Sequence, residues 1–292
     1  MAYVSNRYDT ELLKRLHSFG IDKFSQSRLT GWIECPAAEL IRLAGGAKDS
    51  PGSAAYVGNA FEAGAVTGAA RPEMDIEECV AGGLRQLQHE TAVMPDVERE
   101  KILRQTGERI RTGVRELRKL GLAEMVPGWE PFSTDFDHQF KIRYEPEWSP
   151  LPIEGWVDAL FPEAGVMVDT KAPVSSTKAR SSWLRQGALY AAGTNYEFRI
   201  LAVMPDVTRG PNKGPKFEWT TLRNPAAHLE IFKHAIGSMC RVLMLSEDIQ
   251  EIAAYFAPDL DHYRLNGPRT QQSVNDLFGY SRPQNDEPGA KT

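Results

Sequence analysis

Apolar residues recur with helical spacing over roughly the first 120 positions and with strand spacing soon after them. The spacing predicts a helix over 9–19, ended by Gly20. It predicts a second over 27–43, with Leu29, Trp32, Ile33, Leu40 and Leu43 as its apolar face. Cys35-Pro36 interrupts that helix or makes two of it, because proline disfavours a helix interior. The Gly/Ser/Pro-rich stretch 45–53 reads as a loop and the Ala/Gly-rich stretch 54–69 as a tightly packed helix. Longer helices follow over 75–92 and 96–120, the latter amphipathic and stopped at Gly121. Residues 134–144 then alternate polar and apolar, as a half-buried strand does, and short strands at 153–160 and 166–171 flank Phe161-Pro-Glu-Ala-Gly165. A helix over 179–192, a buried strand over 197–204, a strand over 216–222 and a long helix over 225–247 complete the pattern. From 258 to 292 the chain is polar and rich in Pro, Asn, Gln and Asp, which predicts a mobile tail. The order predicts one α/β domain over 1–257: a helical part (about 1–125), a mixed-sheet core (about 130–222) and a long C-terminal helix.

Composition narrows the function. Of 292 residues 41% are hydrophobic, enough for a sizeable core, yet no apolar run reaches the roughly 18 residues a membrane helix needs. The opening Met1-Ala-Tyr-Val-Ser-Asn-Arg-Tyr-Asp lacks a basic-then-apolar leader, so a cytoplasmic protein with no membrane partner is expected. Cys35, Cys79 and Cys240 are odd in number, far apart and form no CxxC pair, which argues against a disulfide framework and a zinc finger. No P-loop occurs, and the six histidines show no HExxH spacing. The net charge of −5 is uneven. Between Thr170 and Tyr196 lie Lys171, Lys178, Arg180 and Arg185 and no acidic residue. One electropositive face on an acidic body is compatible with phosphate contacts.

The chemistry concentrates in Gly155-Trp-Val-Asp-Ala-Leu-Phe-Pro-Glu-Ala-Gly-Val-Met-Val-Asp-Thr-Lys171. With the turn at Pro162–Gly165, Phe161 faces Val166, Leu160 faces Met167, Ala159 faces Val168 and Asp158 faces Asp169. Alternation puts Lys171 on the same face as Asp169. Opposed carboxylates destabilise a hairpin, and a divalent cation such as Mg²⁺, which prefers oxygen ligands, removes that cost. An Asp–Lys salt bridge is the plainer alternative.

These motifs, with others in the same order, resemble the PD-(D/E)XK nuclease superfamily, specifically its RecB-like branch with the lambda-type phage exonucleases. Phe24-Ser-Gln-Ser-Arg-Leu-Thr-Gly-Trp-Ile-Glu-Cys-Pro36 is similar to the family's N-terminal Ser-x-Ser…Cys-Pro helix. Gly58-Asn-Ala-Phe-Glu62 resembles its Gly-x-x-x-His/Glu helix. Gly155-Trp-Val-Asp158, Val168-Asp-Thr-Lys171 and Gln186-Gly-Ala-Leu-Tyr190 resemble its Gly-x-x-Asp strand, Asp/Glu-x-Lys strand and Gln-x-x-x-Tyr helix. Val157 stands where the family name has proline, and Glu62 where many relatives have His. The resemblance implies a restriction-endonuclease-like core of α-β-β-β-α-β order and a metal-dependent deoxyribonuclease, an exonuclease of recombination or repair. It implies that Glu62, Asp158, Asp169 and the Thr170 carbonyl hold Mg²⁺ or Mn²⁺, that Lys171 positions the attacking water, and that Gln186 and Tyr190 brace Lys171 and touch DNA. Cluster-binding relatives use one early and three late cysteines; here Cys240 is the one late cysteine, so no iron–sulfur cluster is expected.

Further DNA contacts are expected from Ser27 and Arg28 at a helix start, from Lys178, Arg180 and Arg185, and from Arg209 and Lys213 in the basic loop 208–216. Helix capping and an ordinary exposed loop are the alternatives. Trp183 either stacks on a base or packs in the core. Gln271-Gln-Ser-Val-Asn-Asp-Leu-Phe-Gly-Tyr280 reads as a docking motif for a recombination or replication protein, or as a segment folded back on its own domain. A homo-oligomer stays open. A non-catalytic nucleic-acid-binding or assembly protein on the same fold is the competing expectation.

Overall fold

The computed structural model describes residues 10–46, 53–127, 131–132, 139–205, 216–265 and 267–279. In chain order the elements are α1 (Thr10–Ser18), β1 (Phe24–Ser25), α2 (Gln26–Glu34), α3 (Pro36–Leu43), α4 (Ser53–Ala70), α5 (Ile76–Glu90) and α6 (Asp96–Arg118). Then come β2 (Phe140–Tyr144), β3 (Ile153–Val157), β4 (Ala159–Phe161), β5 (Val166–Lys171), α7 (Ser181–Ala192), β6 (Glu197–Val203) and β7 (Phe217–Thr221). Helices α8 (Pro225–Leu243), α9 (Ile249–Ala253) and α10 (Pro268–Phe278) follow. The fold is mixed α/β. Where the pattern suggested a single domain over 1–257, the chain groups into two compact units, one of 1–50, 146–152 and 232–292, the other of 51–145 and 153–231.

In the first unit, Ser25 caps α2 by accepting the Arg28 N–H at 3.1 Å, and Pro36 sits in the first turn of α3. The doubtful helix at Cys35-Pro36 is therefore two helices. The predicted mobile tail contains α10, an ordered helix. Its composition is polar, but Pro268 opens it, Gly279 closes it with φ +68°, and Val274 is buried beside Cys35, Ala37, Ile41 and Leu265. The fold-back reading of Gln271–Phe278 describes this segment.

In the second unit, α4, α5 and α6 pack on one another and against the sheet. Asp75 and Glu78 form a capping box at the start of α5. Phe61, Ala65, Ile110 and Val114 of the helices share a core with Ala159, Phe161, Val166, Val168, Leu201 and Val203 of the strands. Strands run in the order β4-β5-β6-β7, with β5 parallel to β6 and the other pairs antiparallel; β2 pairs antiparallel with β3. Helix α7 is the crossover between β5 and β6.

The hairpin has the expected register: Ala159 opposes Val168, Leu160 opposes Met167 and Phe161 opposes Val166. Gly165 takes φ +62° in its turn and donates to the Pro162 carbonyl at 3.1 Å. The ladder stops there. The single strand expected over 153–160 is broken at Asp158, which leaves the sheet between β3 and β4, so Asp158 and Asp169 are not a ladder pair. Of the strand expected over 134–144, only 140–144 is seen, and 134–138 lie outside the described residues.

Candidate active site

Six of the predicted residues meet in the second unit. Glu62 projects from α4, Asp158 from the break between β3 and β4, Asp169 and Lys171 from β5, and Gln186 and Tyr190 from α7. The break lets Asp158 turn its carboxylate onto the neighbouring strand. Its Oδ2 accepts the Thr170 backbone N–H at 2.6 Å and the Thr170 hydroxyl at 2.8 Å. Asp169 Oδ1 accepts from Gln186 Nε2 at 3.0 Å, and Oδ2 meets Lys171 Nζ in an ion pair. Gln186, one helical turn from Tyr190, also donates to the Tyr190 hydroxyl at 2.9 Å. Gln139, just before β2, donates to Glu62 Oε1 at 2.6 Å and reaches Asp158 Oδ1 at 3.5 Å.

Tyr190 is held by shape as well as by bonds. Its ring packs edge-on to Phe198, with centroids 5.9 Å apart, and lies over Gly155. A β-carbon on residue 155 would stand 2.4 Å from Tyr190 Cε1, closer than any ordinary contact. The glycine of Gly155-Trp-Val-Asp158 is thus the space into which the tyrosine of Gln186-Gly-Ala-Leu-Tyr190 fits.

Asp158 is 4% exposed and Asp169 1%. Burial, then the charges of Glu62 and Asp169, hold the Asp158 carboxyl well above the usual carboxylate range. Burial also raises Asp169, with Lys171 pulling the other way. Burial alone would lower the Lys171 ammonium, but Asp169, Asp158 and Glu62 together outweigh it and raise its pKa, so the amine stays cationic near neutrality. Burial, with Asp169 next, raises Tyr190, which remains a phenol.

Glu62, Asp158 and Asp169 offer a hard, all-oxygen donor set, and that chemistry suits Mg²⁺ or Mn²⁺. Their spacing is looser than a ligand shell. Among the described residues no group of three or more His, Cys, Asp or Glu is drawn close enough to hold an ion. Asp158 is engaged by Thr170, Asp169 by Lys171 and Gln186, and the Gln139 amide lies between Glu62 and Asp158.

The remaining expectations fall elsewhere. Arg185, expected to face DNA, is turned inward at 8% exposure on the packed side of α7, where its charge adds to burial in lowering the His228 pKa. Lys178 is exposed, and Arg180 is exposed with its guanidinium 5.3 Å above the Trp183 ring. Ser27, exposed, and Arg28, half-buried, belong to the first unit. Arg209 and Lys213 lie outside the described residues. The three cysteines are buried and free. Among the described residues no helix is long and apolar enough to cross a membrane.

Two contributors, Gln139 and Arg109, went unread in the sequence, and a third, Thr170, was read for a different atom. Gln139 carries no motif. Thr170 was valued for its carbonyl, whereas its N–H and hydroxyl hold Asp158. Arg109 of α6, 4% exposed, donates to the carbonyl of Pro173, two residues past Lys171; its place on the buried stripe with Thr106, Gly113 and Glu116 was the available signal. Comparison with known protein families and with curated protein sequences found no match to this chain.

Proposed function

We propose that this chain is a metal-dependent DNA nuclease built on a restriction-endonuclease-like core, hydrolysing phosphodiesters as an exonuclease of recombination or repair. The observation that carries the reading is the meeting of Asp158, Asp169 and Lys171, with Gln186 of α7 bonded to Asp169 and to the Tyr190 hydroxyl behind it. The succession α6, β2, β3–β4, β5, α7, β6 supports the α-β-β-β-α-β core.

Glu62, Asp158, Asp169 and the Thr170 carbonyl would hold the divalent ion, whose chemistry is to neutralise phosphate charge and acidify a water. The chain's own groups do the rest. Lys171, kept cationic by its carboxylate neighbours, orients the attacking water and offsets charge on the phosphate. Gln186 fixes the rotamer of Asp169, and Tyr190 fixes Gln186. Lys178 and Arg180, exposed on the connection from β5 to α7, meet the DNA backbone.

One observation favours a second reading, a nucleic-acid-binding protein without turnover. Gln139, Thr170 and Lys171 between them engage all three carboxylates with the chain's own donors. Digestion of end-labelled linear and circular DNA, with and without Mg²⁺, separates the two. Metal-dependent loss of linear substrate supports the nuclease, and binding without cleavage under any divalent ion refutes it.

A further inference from the structure

We infer that Arg109 is a positioning residue for the proposed nuclease site, setting the path of the chain immediately after Lys171. Helix α6 presents Arg109 at 4% exposure to the end of β5, where Nη2 donates to the Pro173 carbonyl at 3.0 Å. Its Nε is enclosed and has no hydrogen-bond partner. Among the described residues no carboxylate pairs with it, and burial lowers its pKa to about 10.

An enclosed guanidinium with one neutral acceptor is an expensive way to hold a helix to a strand. Apolar side chains of similar volume do it as well or better, because they carry no desolvation penalty. The α4–α5–α6 region already has such packing: Ala172 sits against the cluster of Val57, Ala60 and Leu87, with Ile102 and Leu103 alongside. What the guanidinium adds is direction. A hydrogen bond to the Pro173 carbonyl fixes the orientation of that peptide, which an apolar contact leaves free to slide. Lys171 lies two residues upstream, and its ammonium must stay on Asp169. The far part of the same connection is tied separately, by Thr177 donating to Glu218 at 2.7 Å, so Arg109 governs the segment nearest the site.

The inference rests on the nuclease reading, and the test keeps the two apart. In the full chain, Arg109→Met and Arg109→Lys are compared with wild type for steady-state DNA cleavage, thermal unfolding and amide hydrogen exchange. Arg109→Met is expected to leave Tm unchanged or higher. It should lower kcat by roughly 10- to 100-fold with KM for DNA little changed, since a small misplacement of a reacting group costs about that much. Arg109→Lys, which keeps charge and one donor, should recover part of kcat. Exchange over Ala172–Thr177 should rise in Arg109→Met while that of α7 stays as in wild type. Wild-type kcat in Arg109→Met overturns the inference, as does a fall in kcat that merely tracks a fall in Tm. If the wild-type chain cleaves no DNA, the nuclease reading fails, and the exchange result alone decides whether Arg109 fixes this segment.

Discussion

Replacing Gly155 with alanine tests the packing on which the site stands. The added Cβ would lie 2.4 Å from Tyr190 Cε1 and 2.9 Å from its hydroxyl oxygen, whereas ordinary contacts begin near 3.4 Å. The ring must therefore retreat by about 1 Å. It has little room, being 2% exposed and packed edge-on to Phe198. Overpacking of this kind typically costs about 1–3 kcal/mol. Without the clash the substitution would have the opposite sign, because alanine restricts the unfolded chain and favours folding by roughly 0.5–1 kcal/mol over glycine. The direction of the change thus decides the question. At about 2–4 °C per kcal/mol for a domain of this size, Gly155→Ala should lower Tm by roughly 2–12 °C in a reversible thermal melt. Cleavage should fall too, because a displaced Tyr190 releases Gln186 and Gln186 releases Asp169. A double mutant with Tyr190→Leu should be less destabilised than the sum of the singles, a coupling of about 0.5–3 kcal/mol between touching groups. An unchanged or higher Tm for Gly155→Ala would refute the claim that glycine and tyrosine fit each other here.

Three further outcomes follow from the same geometry. Asp169→Asn and Lys171→Ala should each reduce DNA cleavage at least about 100-fold with the circular dichroism spectrum unchanged; full activity in either variant sinks the site assignment. Thr170→Val deletes the hydroxyl that donates to Asp158 while keeping the backbone N–H, and should lower stability by about 0.5–1.5 kcal/mol in a urea titration, the range for an ordinary hydrogen bond. All three thiols are enclosed and burial raises each, Cys240 to about 12 from an ordinary 9.0, so a thiol-reactive disulfide reagent at pH 8 should label none before unfolding and three after. Since the folded-state pKa of Cys240 is the higher one, its contribution to stability is complete below pH 9.0 and is lost as pH rises towards about 12. Cys240→Ala should flatten that part of the Tm profile.

The hairpin was legible because two independent signals coincide. The apolar runs 159–161 and 166–168 mark the two strands, and Pro162–Gly165 sets where the chain reverses and so which residues face each other. The step from Ala159 back to Asp158 was not legible. A one-residue break leaves the hydrophobic pattern intact on both sides, yet it removes the carboxylate from the ladder and delivers it to the Thr170 N–H. The motif therefore identified the residue and misjudged its partner. Helix α10 was hidden for a different reason. Overall polarity suggested a mobile tail, while the local signals of Pro268, the spaced Val274, Leu277 and Phe278, and Gly279 were those of a capped helix with one apolar edge. Arg109 shows what patterning alone omits: a stripe of spacing 3–4 reveals that a position is buried, and only the coordinates reveal the carbonyl it meets.

Charge explains why the site is built with so many supports. Asp158 and Asp169 are enclosed with Glu62 near by, and the Lys171 ammonium lies among them. Left to themselves, like charges at low exposure would separate or take up protons. The fold resists separation with groups that cannot retreat, and the raised pKa of both aspartates reflects the second tendency. Thr170 belongs to the parallel ladder between β5 and β6, Gln186 is bonded to a tyrosine wedged over Gly155, and Lys171 emerges from the end of that ladder. Each carboxylate is thus gripped by an element with a structural reason of its own to stay in place. Such an arrangement costs stability and yields carboxylates held at fixed positions. A structural salt bridge needs only Asp169 and Lys171; the proposed hydrolytic site also gives Glu62, Asp158, Gln186 and Tyr190 a reason to be there.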